Sequence, residues 1–256
     1  MSNIYAGFKQ SLRTAGILNF RSNEESGEAW FLNSYLSPLN SPIVIDVGAH
    51  AGGYLTSVLE ACPTARVLAF EPQPASFSRL RTTFGDRATL FEMALGDETG
   101  DVAIFDRADK AAGSQHSSLY QEVIEDLHHQ GATQQKVPIR RLDDVLRERG
   151  VTETIALLKI DTEGHELAVL RGAAETLAAG RFDAIQFEFN EMNVISRVFF
   201  KDFWDLLSER YNLLRLMGNG AIQHTRYVPW FCEVFAFHNV VAIKKTLPPL
   251  PNVSPV

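Results

Sequence analysis

The stretch KIDTEGHE puts four side chains able to move protons or hold cations within six positions: Asp161, Glu163, His165 and Glu166. An imidazole titrates near neutrality, at about 6.5, so His165 is the economical general base for a weak oxygen nucleophile, with local hydrogen bonding as the competing role. Asp161 and Glu163 join it as candidate catalytic groups. Glu163 and Glu166 also suit the start of a helix, where a carboxylate contributes about 0.3–1 kcal/mol. Further along, QFEFN carries Glu188 and Asn190, which strand alternation sends to one face. With Asp161 they form a candidate oxygen-ligand set for Mg2+, the alternative being a hydrogen-bonded strand end. Earlier in the chain stand two more acids, Asp46 in VIDVGAHAGGYL and Glu71 in FEPQP.

The elements around these residues explain how they could meet. PIVIDVG is a short, β-branched apolar run of the kind buried in a central parallel strand. YLTSVLEAC has helical spacing, RVLAFEP is a second strand, PASFSRLRTTFG a second helix, and ATLFEMALG a third strand. DVAIFD follows the turn GDETG and is expected to pair with it as a hairpin arm. Residues 107–136 are polar and irregular, with one short helix, and a loop this long is usually functional. VPIRRLDDVLRERG reads as strand then helix. ETIALLKIDTEG is a strong strand that leads into the helix HELAVLRGAAETLAAG. FDAIQFEFN is the next strand, FFKDFWDLLSERYN an aromatic-rich helix, and FCEVFAFHNVVAIKK a closing strand with Cys232 at its entrance. Such alternation predicts an α/β doubly wound sheet with helices on both faces, whose ligands bind beyond the carboxyl ends of the strands.

The turn after the first strand is therefore a binding candidate. It is not G-x-G-x-x-G, because His50 stands where the middle glycine would be, which disfavours a dehydrogenase; no P-loop G-K-[ST] follows either. What remains is D-x-G-x-x-x-G with an acid inside the turn, which suits a cationic or hydroxyl-rich ligand. Glu71, 25 positions beyond Asp46 at the end of the second strand, could accept both ribose hydroxyls of a nucleoside. Together these point to S-adenosyl-L-methionine, with Asp46, Gly48, His50, Gly52, Glu71, Met93, Ala94 and Asp161 as the contact set. The alternative is a strand–helix turn whose glycines only permit packing.

The 256 residues, with 45% hydrophobic content, suffice for one large domain. A formal net charge of -7 with dispersed basic residues argues against a nucleic-acid partner. Cys62 and Cys232 form no CxxC and read as buried thiols. No apolar run is long enough to span a bilayer, so no membrane insertion and a cytoplasmic protein are expected. The expected domains are an N-terminal helical cap (1–40), a catalytic domain (41–246) and a proline-rich tail (247–256). His116, Ser117 and Ser118 are loop residues that could reach a ligand, whereas His128 and His129 read as surface. Phe199, Phe200, Phe203 and Trp204 read as core or as a homodimer interface, and Tyr227–Phe231 as lid or packing.

The motif LLKIDTEGHELAVLRGA closely resembles the signature of the FkbM family of S-adenosylmethionine-dependent methyltransferases. The resemblance continues through IDVGAHAGGY, FEPQP, EMALGDETG, RRLDDVL and IQFEFN, in family order, over residues 40–190. It implies the class I methyltransferase (Rossmann-like) fold, a seven-stranded, mainly parallel sheet with helices on both faces and its last strand antiparallel. It implies O-methylation of a hydroxyl on a sugar, polyketide or other natural product, hence a small-molecule or glycan acceptor. An amine or peptide acceptor, or a non-catalytic binding module, are the alternatives. The first 40 residues and those after 195 carry no matching motif.

Overall fold

The computed structural model describes residues 2–107 and 117–256. His116 lies outside them. Twelve strands are found among the described residues: β1 (Ile43–Val47), β2 (Arg66–Phe70), β3 (Ala88–Phe91), β4 (Ala94–Leu95), β5 (Gly100–Arg107), β6 (Ala132–Arg140), β7 (Ile155–Ile160), β8 (Phe182–Phe189), β9 (Tyr211–Met217), β10 (Gly220–His224), β11 (His238–Lys244) and β12 (Val253–Pro255). Nine of them form one sheet in the order β12-β10-β9-β11-β8-β7-β1-β2-β3. Strands β3, β2, β1, β7 and β8 pair in parallel, and β11 inserts antiparallel between β8 and β9. These seven strands are the expected sheet, with the last of them in chain order antiparallel. Two more extend it: β10 folds back on β9, and β12 of the proline-rich tail pairs in parallel with β10.

Both faces of the sheet are covered. Ile43, Ile45 and Val47 point to one side, against Leu142, Val145, Leu167 and Leu170; Val44 points to the other, against Phe31, Leu32, Leu36, Leu55 and Val58. The strands are apolar on both faces because both are buried, as the sequence of β1 and β7 requires. Residues 28–36, an α-turn running into a π-helix, belong to this second layer, and Tyr35 Oη donates to Ala156 O across it at 2.7 Å.

Two expectations are corrected here. DVAIFD does not pair with the segment before it. Strand β4 has two residues, too few to hold an eight-residue arm, and β5 instead pairs antiparallel along β6 from Gly100↔Ile139 to Arg107↔Ala132. Residues 132–136 are accordingly strand, not irregular loop, and a small β4-β6-β5 sheet stands beside the main one. The helix expected from His165 to Gly180 is broken into Glu166–Arg171 and Ala174–Ala178. At the break stands Gly172, where a Cβ would fall 1.9 Å from Gly96 O, so only glycine lets the two segments approach.

Candidate functional site

The chain leaves β1 for β2 on one side and returns to β7 on the other, so a crevice opens beyond the carboxyl ends of β1 and β7. Its floor follows from strand register. Asp46 of β1 lies opposite Lys159 of β7, and Lys159 opposite Gln186 of β8, a polar rung across three buried strands. Alternation puts Glu188 on the same face two residues on. Lys159, 1% exposed, lies 3.3 Å from Asp161 Oδ2, 3.8 Å from Glu28 Oε1 and 4.0 Å from Glu188 Oε1. Burial opposes its charge, but Asp161, Glu28, Glu188 and Asp46 outweigh burial and raise its pKa. Gln186 Nε2 donates to Glu28 Oε1 at 2.8 Å and Tyr54 Oη donates to Gln186 Oε1 at 2.7 Å, so the N-terminal layer is stitched to the floor.

The glycine turn is welded to the end of β2. Gly48 and Ala49 both donate their N–H to Phe70 O, and His50 N–H donates to Glu71 Oε2 at 2.8 Å. Gln73 N–H holds the other oxygen, Glu71 Oε1, at 2.8 Å. Each carboxylate oxygen thus keeps a further lone pair for a ligand hydroxyl. Gly48 has φ 84°, and a Cβ there would lie 1.8 Å from Asp161 O, which brings Asp161 against the turn. Gly52 has another reason: a Cβ there would meet Phe84 at 2.2 Å, so this glycine serves packing and does not line the crevice.

A smaller pocket adjoins Glu71, lined by Gly48, His50, Met93, Ala94, Leu95, Ile104, Ser117, Asp161, Glu163 and His165. The larger crevice, about 570 Å3, is lined by Asp46, Gly48, Tyr54, Asp161, Glu163, Glu188 and Asn190, with Glu28, Arg21 and His128 on its N-terminal and loop walls. Asp161 and Glu163 line both spaces and stand where they join. Burial pushes the Asp46 and Glu71 carboxyls each up to about 7, and pushes Glu188 well above the usual range. Asp46 Oδ2 is buried and has no hydrogen-bond partner among the described residues, an acceptor in a side chain that lines the crevice.

The structure separates residues the sequence had grouped. His165 caps the cavity beside Met93 and Leu95, with Nδ1 3.2 Å from Tyr120 Oη, and burial lowers its pKa. It is not among the residues lining the larger crevice. Glu166, 1% exposed, accepts through Oε1 from Thr162 N–H, Thr162 Oγ1 and Gly164 N–H at 3.0–3.1 Å, and so shapes the loop that carries Asp161 and Glu163. Ser118 Oγ donates to Glu163 O at 2.9 Å from the other side. Phe200 and Phe203 are core, Phe203 stacked on Phe187 and Phe200 edge-on to Phe189. His128, read from sequence as surface, is on the crevice wall.

The Mg2+ set does not fit. The cation between Asp161 and Glu188 is Lys159. Asn190 Oδ1 accepts from Met192 N–H at 3.0 Å, and its Nδ2 donates to Glu188 at 3.3 Å. Among the described residues no group of three His, Cys, Asp or Glu is arranged to hold a metal. Lys159, Glu28, Tyr54 and Gln186 were missed by the sequence reading. A lysine inside the apolar run IALLKI was the available signal, since a buried lysine requires partners.

Comparisons with known proteins cover the part of the chain that carries this site. The family described as "Methyltransferase FkbM domain" matches residues 46–213. A protein named 2-O-methyltransferase NoeI, from Sinorhizobium fredii, is 30% identical over 160 residues, 59% of this chain and 65% of that protein. Methyltransferase sdnD of Sordaria araneosa is 29% identical over 53% of this chain and 62% of its own length. Hexuronic acid methyltransferase AglP of Haloferax volcanii is 31% identical over 56% and 55% respectively. The matched part is thus 55–65% of the length of these relatives. The family match begins at Asp46 and ends in β9, enclosing the turn, Glu71, the Asp161 loop and the rung beneath them. This chain belongs to the FkbM methyltransferase family.

Proposed function

We propose that the chain transfers a methyl group from S-adenosyl-L-methionine to a hydroxyl of a sugar or other natural product. The observation that carries this reading is the junction of the two spaces at Asp161, with Glu71 and an apolar wall on one side and an acid-lined crevice on the other. The acid set suits the group's chemistry: a ribose diol for Glu71, a cationic amino-acid end for Asp46, an adenine face for Met93 and Ala94. When bound, the group supplies an electrophilic methyl on a sulfonium. The chain then has to bring an acceptor oxygen into line and receive its proton. Asp161 and Glu163 stand at the junction for that task, with Lys159 fixing the Asp161 carboxylate. His165, in the cavity with Glu71, is assigned to cofactor binding instead. The names of the Sinorhizobium and Haloferax relatives, a 2-O-methyltransferase and a hexuronic acid methyltransferase, support a saccharide acceptor.

Calorimetric titration with S-adenosylmethionine and, separately, NAD tests the cofactor. Selective binding of the first is expected, and Glu71→Ala should weaken it about 100-fold through two lost hydrogen bonds to a charged acceptor. Asp161→Asn should keep that affinity and lower methyl transfer to a hydroxylated acceptor about 100-fold or more. Equal loss of cofactor affinity in both variants would defeat the division of roles.

A further inference from the structure

The helix Ser2–Thr14 is almost bare of partners. Ile4, Tyr5 and Phe8 are 83%, 70% and 61% exposed, and Phe20 beyond the helix is 57% exposed. At 100° per residue, Ile4, Tyr5, Phe8 and Leu12 fall within an arc of about 100°. Lys9 and Arg13 lie beyond one edge of that arc, towards the polar face, and neither makes an ion pair with any described residue. Residues 1–23 contain Lys9, Arg13 and Arg21 and no acid, in a chain whose net charge is -7. The charge of this segment is thus opposite in sign to that of the chain as a whole.

From this helix we infer a docking surface for an anionic lipid bilayer, on which the segment lies flat with Ile4, Tyr5, Phe8 and Phe20 at the headgroup boundary. An apolar stripe with Lys and Arg on the polar face is the pattern of interfacial helices. Charge argues against a second copy as the occupant, because a two-fold contact here would set Lys9 and Arg13 against their own equivalents with no acid between. The inference goes beyond methyl transfer and does not depend on it. It gives the crevice an orientation, since Leu18, Phe20 and Arg21 also line the crevice mouth. An acceptor carried on a membrane lipid would then meet the site without leaving the surface.

Co-sedimentation of the full chain with vesicles of phosphatidylcholine alone, and with about one third phosphatidylglycerol, tests this. Binding to the second only, lost at high salt, is expected. Lys9→Gln with Arg13→Gln should weaken it about 25-fold, since each basic residue near such a surface contributes about five-fold. Phe8→Asp, at an exposed position, should abolish it while leaving the melting temperature unchanged. No vesicle binding, equal binding to both compositions, or an unaltered Phe8→Asp variant would each overturn the inference. So would a self-association in sedimentation that Phe8→Asp abolishes without any vesicle binding, since the face would then belong to a second copy.

Discussion

At the scale of single residues, the acids of the crevice differ by environment. Asp46 and Glu71 are both held near 7 by burial, Glu71 in spite of two backbone N–H donors. Their charged forms are the ones that accept ligand hydrogen bonds or face a cation. Cofactor affinity should therefore rise as pH increases from about 6 to about 8 and then level off, with protons released on binding below about 7. Calorimetry in buffers of different ionisation enthalpy measures that release, and Glu71→Gln should reduce it. Proton uptake on binding would contradict the assignment. In the free protein the same raised values work the other way. Stability from these groups is full below the unfolded carboxyl range and is lost as pH rises through about 7.

At the scale of elements, the loop between β7 and the helix Glu166–Arg171 shows how local geometry serves the site. Glu163 has φ 53° and Gly164 φ 106°, and one buried oxygen, Glu166 Oε1, gathers three donors to hold that bend. Glu166→Ala should cost about 3 kcal/mol of stability and lower turnover, through buried donors left unpaired and a displaced Asp161. Glu166→Gln, which keeps an acceptor oxygen, should restore much of both, as thermal melts and methyl-transfer rates would report. The ends of β1 and β7 were readable because each is a mostly apolar run with an acid at its carboxyl end, Asp46 and Asp161. The pairing of β5 was not, since the alternation of Val102 and Ile104 suits any neighbour equally well, and the partner lies beyond residue 131. Likewise the roles of Glu166 and His165 depend on which wall each faces, and a helix start written in sequence does not state that.

Across the whole molecule, the end of the sheet remote from β3 holds a second buried polar group. Arg215 is fully buried, with its guanidinium 4.7 Å from the Phe231 ring centroid and Nη2 donating to Phe231 O at 2.9 Å. Burial, reinforced by Arg215, lowers His224 to about 3, and burial holds His238 well below its usual value. Both histidines are neutral in the folded protein and gain a proton only on unfolding. Their contribution to stability is present above about 6.5 and is lost as pH falls towards 3. His224→Phe, at a site already packed between Phe200 and Phe231, should flatten that acid loss, and melting temperatures between about pH 4 and 7 would measure it. An unchanged acid slope would mean that His224 is charged in the native state.

Glu28 reaches Gln186 across 158 positions of chain. During synthesis, at about 5–20 residues per second, Glu28 leaves the ribosome many seconds before either Lys159 or Gln186 exists to meet it. Until β7 and β8 are laid down, its carboxylate has only solvent and its own short helix for company. The wall it forms is one of the longest loop closures in the chain, and such closures come late on a folding pathway. Fragments that stop short of β8 would contain every glycine of the turn and still have no crevice. Competence to bind is thus acquired near the end of folding, with a segment made before β7 and β8 waiting for both to take its place.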